Sequence, residues 1–264
     1  MQLIKNEIRV FLAAVMFFTR IPVPHHNTAD LNRASRYLPL VGIIVGLIGV
    51  FIFSVAHFLF KDSFIAAFLS LGATLLATGA FHEDGLADVA DGFGGGWTKV
   101  RILEIMKDSQ VGAFGVIALI IVIGLKICLV ARFADLCSSF RFGMIFISAH
   151  SVSRIMPIFL LRFMQYSRED DTSKIKPLAT KISWSGLICA IILGILPLFI
   201  LVFVFHFTPY VFLSLVPCGL LTWYLARYFN KWINGYTGDC LGAIQQLNEI
   251  LFYLSILLFW SYSS

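Results

Sequence analysis

The sequence predicts an all-α protein, a bundle of about seven transmembrane helices preceded by a short helix at the membrane surface. The 264 residues are 59% hydrophobic and only 13% charged, whereas a soluble domain carries about a quarter charged residues. Apolar stretches long enough to cross a bilayer core, roughly 20 residues each, recur along the chain. They do not alternate apolar and polar residues, as the strands of a membrane β-barrel would. A helical membrane protein is therefore predicted.

Seven apolar stretches are candidate spans. Their approximate bounds are 38 to 60, 63 to 81, 111 to 131, 142 to 163, 184 to 206, 209 to 226 and 243 to 262. We treat residues 1–264 as a single integral membrane domain. The earlier apolar run, residues 10 to 18, is too short to span and is followed by no signal-peptide cleavage site. It is predicted to form an amphipathic helix in the membrane interface.

Basic residues indicate which loops share one side of the membrane. Fifteen lysines and arginines fall in the segments 1–37, 82–110, 162–183 and 227–242, against three on the other face. The positive-inside rule places the fifteen, and the N-terminus, in the cytoplasm. Because these residues do not form a basic helix or stripe, nucleic acid is not a predicted partner. Membrane lipid is.

An acidic segment in the second of these loops is the main chemical signal. It packs Glu83, Asp84, Asp88 and Asp91 into nine residues. In a helix, the three aspartates would lie within roughly 60° of one another. Their charges would repel unless a cation offset them, and hard oxygen ligands favour Mg²⁺ or Mn²⁺ over zinc. We predict a Mg²⁺ site here, with Mn²⁺ as a second option; the competing interpretation is a solvated acidic loop.

Residues that follow the acidic segment are candidates for phosphate binding. Gly94, Gly95 and Gly96 form either a cradle for a phosphate or a flexible exit from the helix. Lys107 either neutralises phosphate or snorkels at the membrane surface. Asp108 either adds a metal ligand or orients this lysine.

Polar residues in or beside the spans complete the candidate site. His82 either assists proton transfer from an attacking hydroxyl or caps a span. Arg154 lies within the fourth span and requires a partner, either phosphate or aspartate. Asp239 faces the same compartment as the acidic segment. Gln245, Gln246 and Glu249 begin the last span and are predicted to face the bundle interior, for function or for interhelical hydrogen bonds.

Four ordered motifs carry a resemblance to a known family. They are residues 18 to 24, 82 to 92, 103 to 109 followed by Gly112, and 235 to 242 followed by Gln245, Gln246 and Glu249; Arg154 adds to them. Over nearly its whole length the sequence resembles the cobalamin synthase family, the adenosylcobinamide-GDP ribazoletransferases of bacterial and archaeal membranes.

The resemblance implies a Mg²⁺-dependent phosphoryl transfer. α-Ribazole, or its 5′-phosphate, attacks the phosphate of adenosylcobinamide-GDP that bears the aminopropanol arm, and GMP leaves. The enzyme would lie in the bacterial cytoplasmic (inner) membrane with its site facing the cytoplasm; a homo-oligomer is left open. The residues assigned are His82, Glu83, Lys107 and Arg154 for catalysis, Asp84, Asp88, Asp91 and Asp239 for metal, and Gly94, Gly95, Gly96, Asp108, Tyr236, Thr237, Gln245 and Glu249 for substrate.

Two other functions are compatible with the pattern. The aspartate spacing is similar to that of CDP-alcohol phosphotransferases, although Val89 stands where that family has an arginine. An ion-coupled transporter would also place acids and a base within a helical bundle. No inverted repeat is visible, however, and the acids gather at one face instead of the midplane.

Overall fold

The computed structural model describes residues 2–24, 31–167 and 180–261, and the regular structure in these ranges is helical apart from one isolated bridge, between Tyr166 and Tyr236. The helices are α1 (Gln2–Phe18), α2 (Leu31–Ala34), α3 (Leu38–Phe60), α4 (Ser63–Thr78), α5 (Phe81–Gly95), α6 (Lys99–Ile105), α7 (Ala113–Leu136), α8 (Ser139–Val152), α9 (Met156–Phe163), α10 (Trp184–Phe203), α11 (Leu215–Ile233) and α12 (Gly238–Ser261). Short 3₁₀ turns, Ser35–Tyr37 and Pro209–Ser214, precede α3 and α11.

Six helical segments of the described chain are long and apolar enough to cross a membrane. They are Leu31–Phe60, Ala113–Leu136, Ser139–Phe163, Trp184–Phe203, Pro209–Ile233 and Gly238–Trp260. A seventh span is obtained if α4 and α5, which meet at 90°, are counted as one bent unit. The predicted fold class, a polytopic helical bundle, is confirmed.

The predicted second span, 63 to 81, was too long, because the chain turns sharply before its end. α4 stops at Thr78, and Gly79 and Ala80 follow with left-handed backbone angles, φ 66° and 55°. Glycine tolerates this conformation and commonly ends a helix in it. The chain then enters α5, so the segment predicted as a loop from residue 82 is largely helical.

Two further boundaries differ from the prediction. The loop expected at 227–242 shrinks to residues 234–237, because α11 continues to Ile233 before Asn234 takes a left-handed conformation. The fourth span is interrupted between α8 and α9, where residues 153–155 form turns and Pro157 lies in the first turn of the next helix. Proline lacks the N–H that would continue the helix ladder.

The N-terminal helix α1 packs one side on the protein and exposes the other. Val10 and Ala14 are buried, whereas Ile4 is 66% exposed, and α1 is not among the candidate spans. Glu7 on this helix accepts hydrogen bonds from the Tyr37 hydroxyl (2.8 Å) and from Arg33 (3.0 Å). The hydrogen bond from Tyr37, with nearby arginine charges, lowers the pKa of Glu7. The arrangement agrees with an interfacial helix held against the start of α3.

The connecting segments that carry most basic residues meet at one end of the bundle. The Asn32 side chain accepts a hydrogen bond from the Thr180 amide (3.0 Å), and the Tyr236 carbonyl accepts one from the Ser167 amide (2.8 Å). Aromatic rings of α1 contact the first residue of α5. Segments far apart in sequence, which the charge pattern assigns to one side, are therefore adjacent. Three basic residues of this set, Arg168, Lys174 and Lys176, lie outside the described residues.

The remaining connections meet at the opposite end. Ser63 donates a hydrogen bond to Asp135 (2.5 Å), and Arg141 donates to the Phe205 carbonyl (3.1 Å). The grouping of loops into two ends thus agrees with the charge pattern, while the compartment that each end faces stays a prediction.

Candidate active site

The acidic helix α5 crosses the start of α12 with the two backbones in contact. A Cβ atom at Gly85 would lie 2.9 Å from the Cα of Asp239, and one at Gly242 would lie 2.9 Å from the carbonyl oxygen of His82. Only glycine fits so close an approach of two helices. The crossing places Asp239 beside the acidic turns of α5, as the shared compartment of the two loops predicted.

The three aspartates of α5 do not share one environment. Asp84 is exposed, Asp88 is half-buried and Asp91 is buried. Asp91 accepts hydrogen bonds from the amides of Gly112 (2.7 Å) and Gly115 (2.9 Å). These are among the amides at the start of α7 that lack partners within their own helix. Asp91 therefore caps α7, a role that a carboxylate fulfils well at the positive end of a helix dipole.

The predicted four-aspartate metal site is not assembled as a ready-made group. Among residues 2–24, 31–167 and 180–261, no three His, Cys, Asp or Glu side chains are grouped closely enough to hold a metal ion. Both oxygens of Asp91 are already engaged by the α7 amides. The aspartates of the predicted site that remain near the α5–α12 crossing are Asp84, Asp88 and Asp239. Mg²⁺ is commonly held by one or two carboxylates together with substrate phosphates, and this donor set fits such a site.

A buried ionic network lies in the bundle interior, next to the acidic helix α5. Lys126 on α7 forms an ion pair with Glu249 on α12 (3.0 Å), and both side chains are 3% exposed. The same ammonium donates to Gln246 (2.6 Å), which in turn donates to Glu83 on α5 (2.7 Å). A chain of polar contacts thus joins three helices that are distant in sequence.

The network continues to the break in the fourth span. Gln245 donates to Glu249 (2.7 Å) and to the Ser153 hydroxyl (3.0 Å). His150 lies 3.8 Å from Glu249, and Arg154 donates to the His150 carbonyl (2.9 Å). Gln245 and Glu249 therefore face the bundle interior, as predicted, and make interhelical contacts. Arg154 therefore donates to the His150 carbonyl, one turn earlier in the chain, and not to the aspartate that was predicted as its protein partner.

Four residues of this network were not among the assigned site residues: Lys126, His150, Ser153 and Gln246. Lys126 lies on a span without a marked polar face, so the sequence did not show which way its side chain points. A lysine within an apolar span was the available signal, because such residues usually face the interior and pair there.

His82, at the start of α5, is buried with its Nδ1 atom unpaired within the described part of the chain. It lines a cavity of about 50 Å³ between α1 and α12, together with Phe17, Phe18, Gly238 and Gly242. Its neighbour Glu83 is also buried, and one of its two carboxylate oxygens has no described hydrogen-bond partner. These are two proton-accepting atoms close to the α5–α12 crossing.

Packing explains the glycines proposed as a phosphate cradle. A Cβ at Gly94 would lie 2.6 Å from the ring of Phe114, and one at Gly96 would lie 2.7 Å from the side chain of Ile102. The Gly96 amide donates to the Gly92 carbonyl (2.9 Å). These glycines allow α5 to pack closely against α6 and α7. Their contacts give no support to a phosphate-binding role.

Lys107 and Asp108 lie on the surface after α6. Both are exposed, and Asp108 accepts a hydrogen bond from the Gln110 amide (3.0 Å), which shapes the turn before α7. Arg154, by contrast, is 2% exposed. The two cations assigned to catalysis are therefore in different environments, one at the surface and one inside the bundle.

Tyr236 and Thr237 are both fully buried at the start of α12. The Tyr236 hydroxyl donates to the Thr180 carbonyl (3.2 Å), and burial raises the pKa of this hydroxyl. The Thr237 hydroxyl accepts from the Cys240 amide (3.4 Å) and donates to Asp239 (3.2 Å). Tyr236 therefore joins two connecting segments, and Thr237 caps α12 and orients Asp239, instead of presenting a surface to substrate.

Comparison with known proteins gives one consistent result. The model of the cobalamin-5-phosphate synthase family matches residues 10–257. A protein of Shewanella amazonensis named adenosylcobinamide-GDP ribazoletransferase is 44% identical over 277 aligned residues, which cover 100% of both chains. A protein of the same name from Leptospira interrogans is 40% identical, over 99% of both chains. No solved structure matches the chain.

Proposed function

Because the chain belongs to the cobalamin-5-phosphate synthase family, we propose that it joins adenosylcobinamide-GDP to α-ribazole or α-ribazole 5′-phosphate. The ribazole hydroxyl oxygen bonds to the phosphorus that bears the cobinamide arm, the bond from that phosphorus to GMP breaks, and the hydroxyl proton passes to a base. The observation that carries the proposal is the full-length similarity to ribazoletransferases. The acidic helix at the α5–α12 crossing supports it, because this chemistry requires charge neutralisation around a diphosphate.

We assign Asp84, Asp88 and Asp239 as the residues that hold Mg²⁺, with Mn²⁺ as a substitute. When bound, the cation would neutralise charge that develops on the diphosphate as GMP leaves. Asp91 is omitted from this set because it caps α7. Thr237 orients Asp239 through its hydroxyl.

The remaining polar residues have distinct proposed tasks. His82 receives the proton of the attacking hydroxyl, since it is unpaired at Nδ1 in the described chain and lies next to the acidic turns. Glu83 is held by Gln246 and through it by Lys126. Lys107, exposed near the same end of the bundle, contacts a phosphate of the substrate. Glu249 and Arg154 hold the packed helices of the bundle interior together through their buried polar contacts.

The proposed location is the bacterial cytoplasmic membrane, with the site facing the cytoplasm. Two observations support this orientation: fifteen basic residues lie in four segments, and described parts of those segments meet beside α5. The positive-inside rule assigns such an end to the cytoplasm.

The test is a reaction with purified components. Protein in detergent or liposomes is incubated with adenosylcobinamide-GDP, α-ribazole and Mg²⁺, and GMP and the cobamide product are measured. Asp84→Asn and Asp88→Asn should abolish product formation and reduce the thermal stabilisation that Mg²⁺ gives the folded protein. Glu104→Gln is the matched control, because Glu104 is an exposed carboxylate on the neighbouring helix α6.

Three results would contradict the proposal. The parent protein would release no GMP with either divalent ion, or the aspartate variants would retain near-parental turnover. Uptake of a substrate into liposomes without covalent change would favour the transporter instead.

A further inference from the structure

A groove between α9 and α11 lies outside the site described above. Its apolar part has a volume of about 320 Å³ and is lined by residues that include Phe159, Phe163, Gly219 and Trp223. A second part, of about 590 Å³, shares Phe163 and Trp223 with the first and is therefore continuous with it. Phe163 and Trp223 are 63% and 57% exposed, so the groove opens at the bundle surface.

The second part of the groove carries positive charge. Arg227 and Lys231 line it, one turn apart on α11, and both are exposed. The Arg227 guanidinium lies 4.4 Å from the centroid of the Trp223 ring, a cation–π contact that holds it at the groove wall. Within the described residues, neither cation forms an ion pair with a carboxylate. The groove is thus apolar along one part and cationic at the other.

Neighbouring residues indicate where the groove lies relative to a bilayer. Phe163 packs against Trp184 with ring centroids 5.8 Å apart, and Arg162 lies 4.4 Å above the same indole ring. Tryptophan and arginine side chains gather at the membrane–water interface. Trp223 and Arg227 lie near them, because Phe163 and Trp223 line both parts of the groove. This grouping indicates that the cationic part lies at the interface and that the apolar part, which reaches Phe159 and Gly219, lies toward the hydrocarbon.

We propose that this groove binds one anionic phospholipid, with its phosphate group at Arg227 and Lys231 and one acyl chain along Phe159, Phe163 and Gly219. Basic pockets between membrane helices recognise anionic headgroups in this way. A zwitterionic lipid lacks the net negative charge that the two exposed cations attract. A soluble phosphate compound would leave the apolar part of the groove unfilled.

The test measures lipid binding to the full-length chain. Protein in neutral detergent is titrated with phosphatidylglycerol, phosphatidylcholine of the same chain length, or glycerol phosphate, and bound lipid is counted by native mass spectrometry while the thermal midpoint is recorded. Arg227→Gln and Lys231→Gln should each weaken phosphatidylglycerol binding about fivefold. Arg132→Gln, an exposed cation at the opposite end of the bundle, should not.

A second pair of variants examines the acyl-chain part. A Cβ at Gly219 meets nothing within 4 Å, so Gly219→Leu fits the fold and occupies the groove. It should abolish preferential binding of phosphatidylglycerol. Gly124→Leu is the matched control, because Gly124 on α7 is equally open but outside the groove.

Three outcomes would overturn the proposal. Phosphatidylcholine would bind and stabilise as well as phosphatidylglycerol, glycerol phosphate would reproduce the effect, or Gly219→Leu would bind lipid as Gly124→Leu does.

Discussion

The clearest prediction separates Asp91 from the two other aspartates on its helix face. Asp91 accepts hydrogen bonds from Gly112 and Gly115 at the start of α7. In Asp91→Asn the amide retains one acceptor oxygen, so one of the two N–H groups loses its partner. A buried unpaired donor costs about 1–3 kcal/mol, and the lost charge at the helix N-terminus about 0.3–1 kcal/mol more. Asp84→Asn changes an exposed side chain and should stay within about 0.5 kcal/mol of the parent.

The assay is thermal unfolding of each variant in detergent with a metal chelator present. Asp91→Asn should lower the midpoint by several degrees without any metal, whereas Asp84→Asn should differ from the parent only when Mg²⁺ is added. The capping interpretation fails if Asp91→Asn unfolds at the parental temperature under chelation.

A double-mutant cycle tests the same contact from its other side. A Cβ at Gly115 would lie 2.4 Å from an Asp91 carboxylate oxygen, so Gly115→Ala should displace the cap and destabilise the protein. Because Gly115→Ala and Asp91→Ala disrupt one interaction, their combined cost should be smaller than the sum of the single costs. Gly124→Ala on the same helix, where a Cβ has open space, should be neutral or slightly stabilising. Strict additivity would show that the two residues do not interact.

Three further predictions concern the interior, the helix crossing and the topology. Lys126→Met should cost about 3–5 kcal/mol, because it leaves the buried Glu249 carboxylate without its ammonium partner. Glu249→Gln in the same chain should recover part of this cost; no recovery in thermal unfolding would argue against the pair. Gly85→Ala should cost about 1–3 kcal/mol because its Cβ meets backbone at 2.9 Å, unlike Gly124→Ala, and equal midpoints would contradict the close crossing. A cysteine at exposed Asn234, in a background without native cysteines, should resist an impermeant thiol reagent applied outside cells; labelling there would invert the topology.

Asn234 is an accessible labelling position in the connection between α11 and α12. Tyr236 is fully buried, so a cysteine there would be unreactive from either side, and Lys174 lies outside the described residues. A count of basic residues assigns a loop to one side of the membrane, but it does not show which side chains in that loop are accessible.

The sequence predicted the spans well because a bilayer imposes one strong requirement, about 20 apolar residues per crossing. The segment from residue 82 was expected as a connecting loop, although Asp84 and Asp88 repeat at the helical period of the helix α5 that the structure shows there. The sequence did not show the turn at Gly79 and Ala80, since an apolar run of the right length continues through that point. Hydropathy measures length and composition, and it does not detect a local left-handed conformation.

Side-chain partners inside the bundle were less predictable for a physical reason. α7 is apolar around its whole circumference, so no polar face shows which way Lys126 points. Its partner Glu249 is more than a hundred residues away in sequence. The cap from Asp91 to the start of α7 likewise joins two elements whose contact depends on the 90° bend. Each of these contacts follows from tertiary packing, which a single sequence does not specify.

Three attachments fix the acidic helix, and each uses a different kind of interaction. Gly85 brings its backbone against α12, Glu83 accepts a hydrogen bond from Gln246, and Asp91 caps α7. The residues between these attachments include Asp84 and Asp88, which lie toward the surface and not within the bundle. One short helix therefore divides its carboxylates between holding its position and facing the proposed diphosphate. Separating a buried pair such as Lys126 and Glu249 would leave an uncompensated charge inside the bundle, so the network on the interior side of α5 opposes movement of the helix that carries Asp84 and Asp88.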